Sequence, residues 1–239
     1  KKGIFDTKKK IRSMKYVTAV CEAQRLKLKL QQHPNNIKIV YNGIDLENIN
    51  AIKNNSVESN IDEFKLFFPG GDDPNKGGII VLKALRMVIN KIPRIKLYVT
   101  RKLNSDSSLV KYCEDNKINN SVEFIGQVSR NKNLEYMSIS DIVIQPSKTE
   151  AFSLIYLEAM AMGIPIIATD CGGTSELITH NRNGLLISED RNYKDLARCL
   201  IKLYNSSEFR HKISKANTED IKKYDWNNII SDYINVYRS

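Results

Sequence analysis

The sequence predicts an α/β fold, a parallel sheet with helices on both faces, and three observations point to it. Short β-rich runs alternate with runs of helical periodicity from about residue 64 to residue 204. The apolar runs, such as Ile79 to Leu82 and Ile164 to Ala168, are far shorter than the roughly 20 residues that a membrane-spanning helix needs. A chain of 239 residues, 41% of them hydrophobic, can bury one sizeable core.

The candidate strands are Lys65 to Pro69, Ile95 to Thr100, Val122 to Gly126, Asp141 to Gln145, Pro165 to Thr169 and Gly184 to Ser188. Between the first two, Lys76 to Asn90 carries Ile79, Leu82, Leu85, Val88 and Ile89 at helical spacing. Strands alternating with helices make a parallel sheet joined by right-handed crossovers, and ligands bind such sheets at the carboxyl ends of the strands. Upstream, Tyr16 to Val20 reads as a strand, Glu22 to Gln32 as a helix despite the alternation of Leu26, Leu28 and Leu30, and Ile37 to Tyr41 as a second strand. Asn42-Gly43 makes a turn. Four parts are expected: 1–45, too short to be a domain and read as the trailing edge of one whose body lies upstream; a linker, 46–62, rich in Asn and without periodicity; the α/β domain, 63–224; and a final amphipathic helix, 225–239, with Ile229, Ile230, Tyr233 and Val236 on one side.

The net charge of +10 is concentrated at one end, since residues 1–30 hold ten Lys or Arg against Asp6 and Glu22, a net of +8. Such a segment is a solvated flank or meets anionic lipid; nucleic acid is not expected, because no aromatic residues interleave its Lys run. The chain begins Lys1-Lys2-Gly3 without Met or an apolar leader, which reads as a truncated chain with no export signal. Cys21, Cys113, Cys171 and Cys199 form neither C-x-x-C nor a dense scaffold, so a reducing cytoplasm is expected. His33, His180 and His211 are equally scattered, and no metal site is expected.

The segment Thr149 to Met160 carries the most chemistry. Leu154, Leu157, Glu158 and Ala161 share one helix face, so Glu158 stands in an apolar stripe and needs donors such as ribose hydroxyls, or else backbone amides or a Lys. Glu150 precedes the helix and reaches a ligand lying across its start, or acts as an acid that stabilises the first turn. After Ala151 and Phe152, the free amides near Ser153 and Leu154 favour a phosphate. A Gly-rich loop, Phe67 to Gly78, contains Gly70, Gly71 and Lys76; its glycines permit close approach and Lys76 can neutralise phosphate, although the loop matches no standard phosphate-binding fingerprint.

Glu150 and Glu158 match the E-x7-E motif of family 4 glycosyltransferases, within a run to Gly173 that resembles that family's signature through Ala161-Met162-Gly163-Ile164-Pro165 and Cys171-Gly172-Gly173. Val40 to Asp45 resembles its interdomain N-G-I-D element, Asn183 to Leu186 the following strand and Tyr224-Asp225-Trp226 the start of its last helix, so residues 16–237 are covered in order. The resemblance implies a GT-B architecture of two Rossmann-like domains, of which this chain is the C-terminal, donor-binding half. It implies retaining, metal-independent transfer without a cofactor, from a UDP-, GDP- or ADP-sugar, with the acceptor held mainly by the absent N-terminal domain. A glycan or lipid-linked acceptor in polysaccharide biosynthesis fits the family's range.

By the same resemblance Glu150 and Lys76 serve the reacting end of the donor, Glu158 the ribose, and Gln127 and Val128 the base; Gly70, Gly71, Arg101, Lys102, Ala151, Phe152, Ser153 and Leu154 complete the residues expected around the donor nucleotide. Two positions depart from the family's pattern. Gly71 stands where an Arg is usual five residues before the phosphate-binding Lys, and Thr100-Arg101-Lys102 replaces a Gly-containing loop, with Arg101 or Lys102 expected to compensate unless both are merely solvated. A non-catalytic sugar-nucleotide-binding domain and a GT-B-fold sugar-nucleotide epimerase are the alternatives.

Overall fold

The structure, a computed structural model, describes residues 16–30, 37–55 and 62–238, without the side chain of Leu30. Most of the basic flank, the expected end of the first helix at Gln32 and linker residues 56–61 lie outside the described residues. Two short strands, β1 (Val17–Ala19) and β2 (Ile37–Ile39), pair in parallel on either side of α1 (Glu22–Leu30). After α2 (Leu46–Asn55) comes a larger unit: β3 (Phe64–Phe68), α3 (Gly78–Val88), β4 (Ile95–Thr100), α4 (Ser108–Asp115), β5 (Val122–Gly126), α5 (Arg130–Ser138), β6 (Ile142–Gln145), α6 (Leu154–Met162), β7 (Ile166–Thr169), α7 (Thr174–Leu177), β8 (Leu185–Ile187), α8 (Tyr193–Asn205) and α9 (Ser207–Asp220). A tight 3-10 turn, Ile221–Tyr224, leads into α10 (Trp226–Arg238).

Strands β3 to β8 form one parallel sheet in the order β5-β4-β3-β6-β7-β8. The six expected strands are all present, with ends within one residue of the positions read from the sequence. Because side chains alternate along a strand, β3 serves both layers of the core. Leu66 and Phe68 pack with Leu82 and Leu85 of α3 and Leu200 of α8, while Phe67 faces Tyr156, Leu157 and Met160 of α6 and Met137 of α5. The strand order reverses between β3 and β6, which opens a crevice at their carboxyl ends.

The expected linker is helical over its first ten residues. Asp45 accepts a hydrogen bond from the amide of Asn48 at 3.0 Å and so starts α2, and Ile49 and Ile52, one turn apart, pack into the α5–α6 layer. Two apolar positions among many Asn give almost no periodic signal, yet burying Ile49 completely is enough to hold the helix. The final helix also differs in detail: Ile229, Tyr233 and Val236 pack against the core, whereas Ile230 joins Trp226, Ile234 and Tyr237 on the exposed side.

Residues 16–30 and 37–45 dock on the larger unit. The amides of Glu22 and Ala23, at the start of α1, donate to the Glu176 carboxylate at 2.9 and 3.1 Å. Tyr41 packs between Phe152 and Tyr224, with ring centroids at 5.1 and 5.7 Å. Gly43 lies so close to the Trp226 ring that a Cβ would stand 2.5 Å from it, which explains the glycine of the Asn42-Gly43 turn. No helix among the described residues is long and apolar enough to cross a membrane.

Candidate functional site

A cavity of about 430 Å³ opens over the carboxyl ends of β3, β4 and β6, between the first turns of α5 and α6. Lys76 enters it from the β3–α3 loop, Arg101 from the end of β4, Gln127 and Val128 from the β5–α5 connection, Arg130 from the first turn of α5, and Gln145 from the end of β6. Ser153, Leu154, Ile155 and Glu158 complete it from α6. It therefore collects three cations around one crevice.

Glu158 is 4% exposed, on the apolar face where the sequence puts it. Its partner is Arg130, whose Nε and Nη2 both donate to Oε1, at 3.1 and 3.0 Å. Burial holds the Glu158 carboxyl above the usual carboxylate range, and the hydrogen bonds and charge of Arg130 pull against that rise. Among the described residues neither a backbone amide nor a Lys bonds to it.

Glu150 stands outside the helix, its Oε2 accepting from Lys76 Nζ at 2.8 Å and Gln145 Nε2 at 2.9 Å. Its backbone is gripped from the other side. The amide of Gly173 donates to the Glu150 carbonyl at 3.1 Å, and Gly172, at φ 56°, passes so near that a Cβ would stand 1.9 Å from the same oxygen. Only glycine combines that φ with that approach.

Between the carboxylates lies the start of α6. Ser153 is its N-cap, but no side chain caps the helix, because the Ser153 hydroxyl accepts from Gln145 Nε2 at 3.3 Å. The first amides of the nine-residue helix thus have no intrahelical acceptor and present the positive end of its dipole to the crevice. Ser153 and Leu154 both line the cavity.

The Gly-rich loop is organised by its own aspartates. Asp72 accepts from Ser107 Oγ and the Asn104 amide, both at 2.6 Å, and Asp73 stands 3.7 Å from the Arg101 guanidinium. A Cβ on Gly71 would stand 2.7 Å from the Lys102 carbonyl and 3.0 Å from the Arg101 Cβ, so a side chain at 71 and the observed Arg101 exclude each other. Arg101 itself has φ 91°, a conformation that costs a non-glycine residue roughly 1–3 kcal/mol. The strained backbone turns a cation into the cavity where position 71 has none.

Six sequence-predicted residues are not in the cavity wall: Glu150 stands behind it, bonded to the lining residues Lys76 and Gln145, and five others lie elsewhere. Lys102 is exposed and, next to the turn at Arg101, contributes only its carbonyl, which accepts from the Asp72 amide at 3.4 Å. Phe152 is 5% exposed and belongs to the aromatic contact with Tyr41 and Tyr224. Gly70 packs against the Phe68 ring, Gly71 against Arg101, and Ala151 uses its carbonyl against Gly173. Sequence reasoning missed Arg130, Gln145 and the pair in which Thr100 Oγ1 donates to Asn133 Oδ1 at 2.6 Å, tying β4 to α5. Gln145 was findable as a polar residue closing an apolar strand, whereas nothing local marks Arg130.

The cysteines do not enter the site. All four are free thiols, and burial pushes Cys113 and Cys199 up to about 11. Cys171 is buried behind Glu150 and its thiol, raised mainly by burial, donates to the Ser147 carbonyl at 3.5 Å. Among the described residues no three His, Cys, Asp or Glu side chains converge as a metal site would require.

Residues 50–220 match the family model described as glycosyl transferases group 1. A glycosyltransferase of Methanocaldococcus jannaschii is 29% identical over 222 residues, which is 91% of this chain and 58% of that protein. A D-inositol 3-phosphate glycosyltransferase of Nocardioides sp. is 22% identical over 91% of this chain and 51% of its own length. Anabaena HepE in complex with UDP and glucose superposes with a TM-score of 0.82 at 20% identity, over 96% of this chain and 64% of that one. Sucrose-phosphate synthase from Thermosynechococcus elongatus gives 0.84 at 20% identity, over 98% and 60%. The parallel sheet flanked by helices is the fold of these GT-B structures. The chain spans just over half the length of the two curated relatives.

Proposed function

This chain belongs to the glycosyl transferases group 1 family, and from that premise we propose that it is the C-terminal, donor-binding half of a retaining, family 4 glycosyltransferase. Its donor is a UDP-, GDP- or ADP-sugar, and it needs no metal or other cofactor. One observation carries the proposal: a single crevice joins Lys76, Arg101, Arg130 and the uncapped start of α6 to Glu158 on its floor. That is the charge arrangement a nucleoside diphosphate requires.

In this reading the diphosphate lies on the amides of Leu154 and Ile155, the ribose on Glu158 and the base beside Gln127 and Val128. An ammonium has three donors, so Lys76 can keep its bond to Glu150 while binding a phosphate oxygen. As the bond from sugar to phosphate breaks, the charge growing on the departing diphosphate is met by Lys76, Arg101 and the helix amides. Glu150, aimed by Lys76 and Gln145, holds the sugar hydroxyls. A glycan or lipid-linked acceptor is held by chain outside these 239 residues, so that this chain alone binds donor without transferring it. Free thiols suit a cytoplasmic setting, and the basic residues near the start suit contact with anionic lipid at its edge. The rival reading of a binding domain without activity rests on Gly71, and Arg101 supplies the charge that Gly71 lacks.

Calorimetric titration with UDP, GDP and ADP tests the donor site. Binding of at least one, weakened by Lys76→Met, is expected; no binding of any would overturn the proposal. Acceptor-dependent transfer by the purified chain alone would overturn the half-enzyme part.

A further inference from the structure

We infer that Arg130 sets the selectivity of this site for ribonucleotides, by fixing one oxygen of Glu158 and leaving the other to read the ribose hydroxyls. The inference rests on the nucleoside-diphosphate reading of the cavity. Arginine and carboxylate side chains commonly meet fork to fork, each N–H taking its own oxygen. Here both N–H groups converge on Oε1, and Oε2 receives neither. Glu158 lines the cavity, so the unclaimed oxygen belongs to a side chain that faces the ligand space.

The two partners are mounted differently. Glu158 is fixed on a buried helix face, while the Arg130 side chain is 57% exposed and reaches over it from the first turn of α5. That turn is rigid, since Ser129 caps it by accepting from the Lys132 amide at 3.3 Å and Asn133 is tied to Thr100. An exposed arm contributing little to packing thus holds a buried carboxylate in a single orientation.

Ionisation makes the orientation selective. An ionised carboxylate only accepts hydrogen bonds, so it favours a hydroxyl over the bare carbon of a deoxyribose, whereas a protonated one discriminates less. Arg130 is the charged group that meets Glu158 from α5, and Lys76 and Arg101 reach the same cavity from their loops. From the other elements packed on α6, α2 turns Ile49 and Ile52 inward and leaves Glu47 and Lys53 exposed, and α9 meets the far end through the neutral Ser214 and Asn217. Removing Arg130 leaves the buried carboxylate without its direct ionic partner.

The test titrates UDP, GDP and ADP, each with its 2′-deoxy and 3′-deoxy counterparts, into wild type, Arg130→Ala, Arg130→Lys and Glu158→Gln. Wild type should prefer the ribonucleotide by roughly tenfold over at least one deoxy form, and Arg130→Ala should reduce that preference to within about threefold, with Arg130→Lys between them. The preference left in Arg130→Ala should fall further as the pH is lowered, while that of wild type holds over the same range. Equal weakening of ribo and deoxy nucleotides would make Arg130 a phosphate ligand and overturn the inference. Unchanged preference in Arg130→Lys and Arg130→Ala would overturn it too. If wild type binds no nucleotide, the donor-site reading fails first and takes this inference with it, an outcome distinct from binding without selectivity.

Discussion

Glu150 stands on a loop and Glu158 on a helix eight residues later, and the protein holds the two carboxylates by different means. The Glu150 side chain, 14% exposed, has partners from two other segments, Lys76 and Gln145, and glycines that clasp its backbone. Glu158, 4% exposed, gets its position from the helix and its ionic partner from Arg130. A loop carboxylate needs its backbone fixed before its side chain can be aimed, whereas on a helix the backbone is already fixed and only the charge has to be accommodated. The loop end should therefore break through backbone substitutions, and the helix end through changes of charge.

The largest effect is expected at the backbone clasp. Gly172→Ala combines a strained φ with a Cβ driven into the Glu150 carbonyl, and should lower stability by roughly 3 kcal/mol. A thermal melt measures this, and nucleotide titration should show donor binding weakened with it. A Gly172→Ala variant as stable as wild type would mean that the clasp does not organise Glu150.

At the helix end, Glu158→Ala should cost about 1.5–3 kcal/mol of nucleotide affinity and leave the melting transition cooperative. Unchanged affinity, or a collapsed transition, would make Glu158 a structural carboxylate.

A smaller effect appears in the pH dependence of stability. Burial raises the Glu158 carboxyl above its unfolded value, so the folded state binds more protons across that interval, and this carboxyl lowers stability as pH rises through it. Glu158→Gln removes the contribution. Its melting temperature relative to wild type should climb from acid toward neutral pH, and a flat difference would show that the carboxyl is not desolvated.

Least affected should be Glu150→Gln. An amide oxygen still accepts from Lys76 and Gln145, so stability and affinity for the bare nucleotide should shift by less than about 1 kcal/mol. The added affinity of a sugar nucleotide over its nucleotide should nevertheless drop, as comparative titration can show.

The contrast also explains what could be read from the chain. Strands such as Ile95–Thr100 carry their own alternation, and the helix around Glu158 is apolar almost throughout, signals that need no knowledge of neighbours; Leu154, expected on the apolar stripe, is exposed instead. The need of Glu158 for a donor followed from that stripe, but the donor comes from 28 residues away on another helix, and only the packing of α5 beside α6 brings it there. Helix α2 was misread because a single fully buried Ile49 outweighs the polar character of its other residues. Arg101 and Lys102, alike in sequence, part company because the φ of 91° at Arg101 turns one toward the cavity and leaves the other outside.

The most direct measurement is a crystal structure of this chain with whichever of UDP, GDP or ADP binds. The predicted result places phosphate oxygens within hydrogen-bond distance of the Leu154 and Ile155 amides and Lys76 Nζ, and a ribose hydroxyl on Glu158 Oε2 while Arg130 keeps Oε1. A nucleotide bound outside this crevice, or one whose ribose lies away from Glu158, would contradict it.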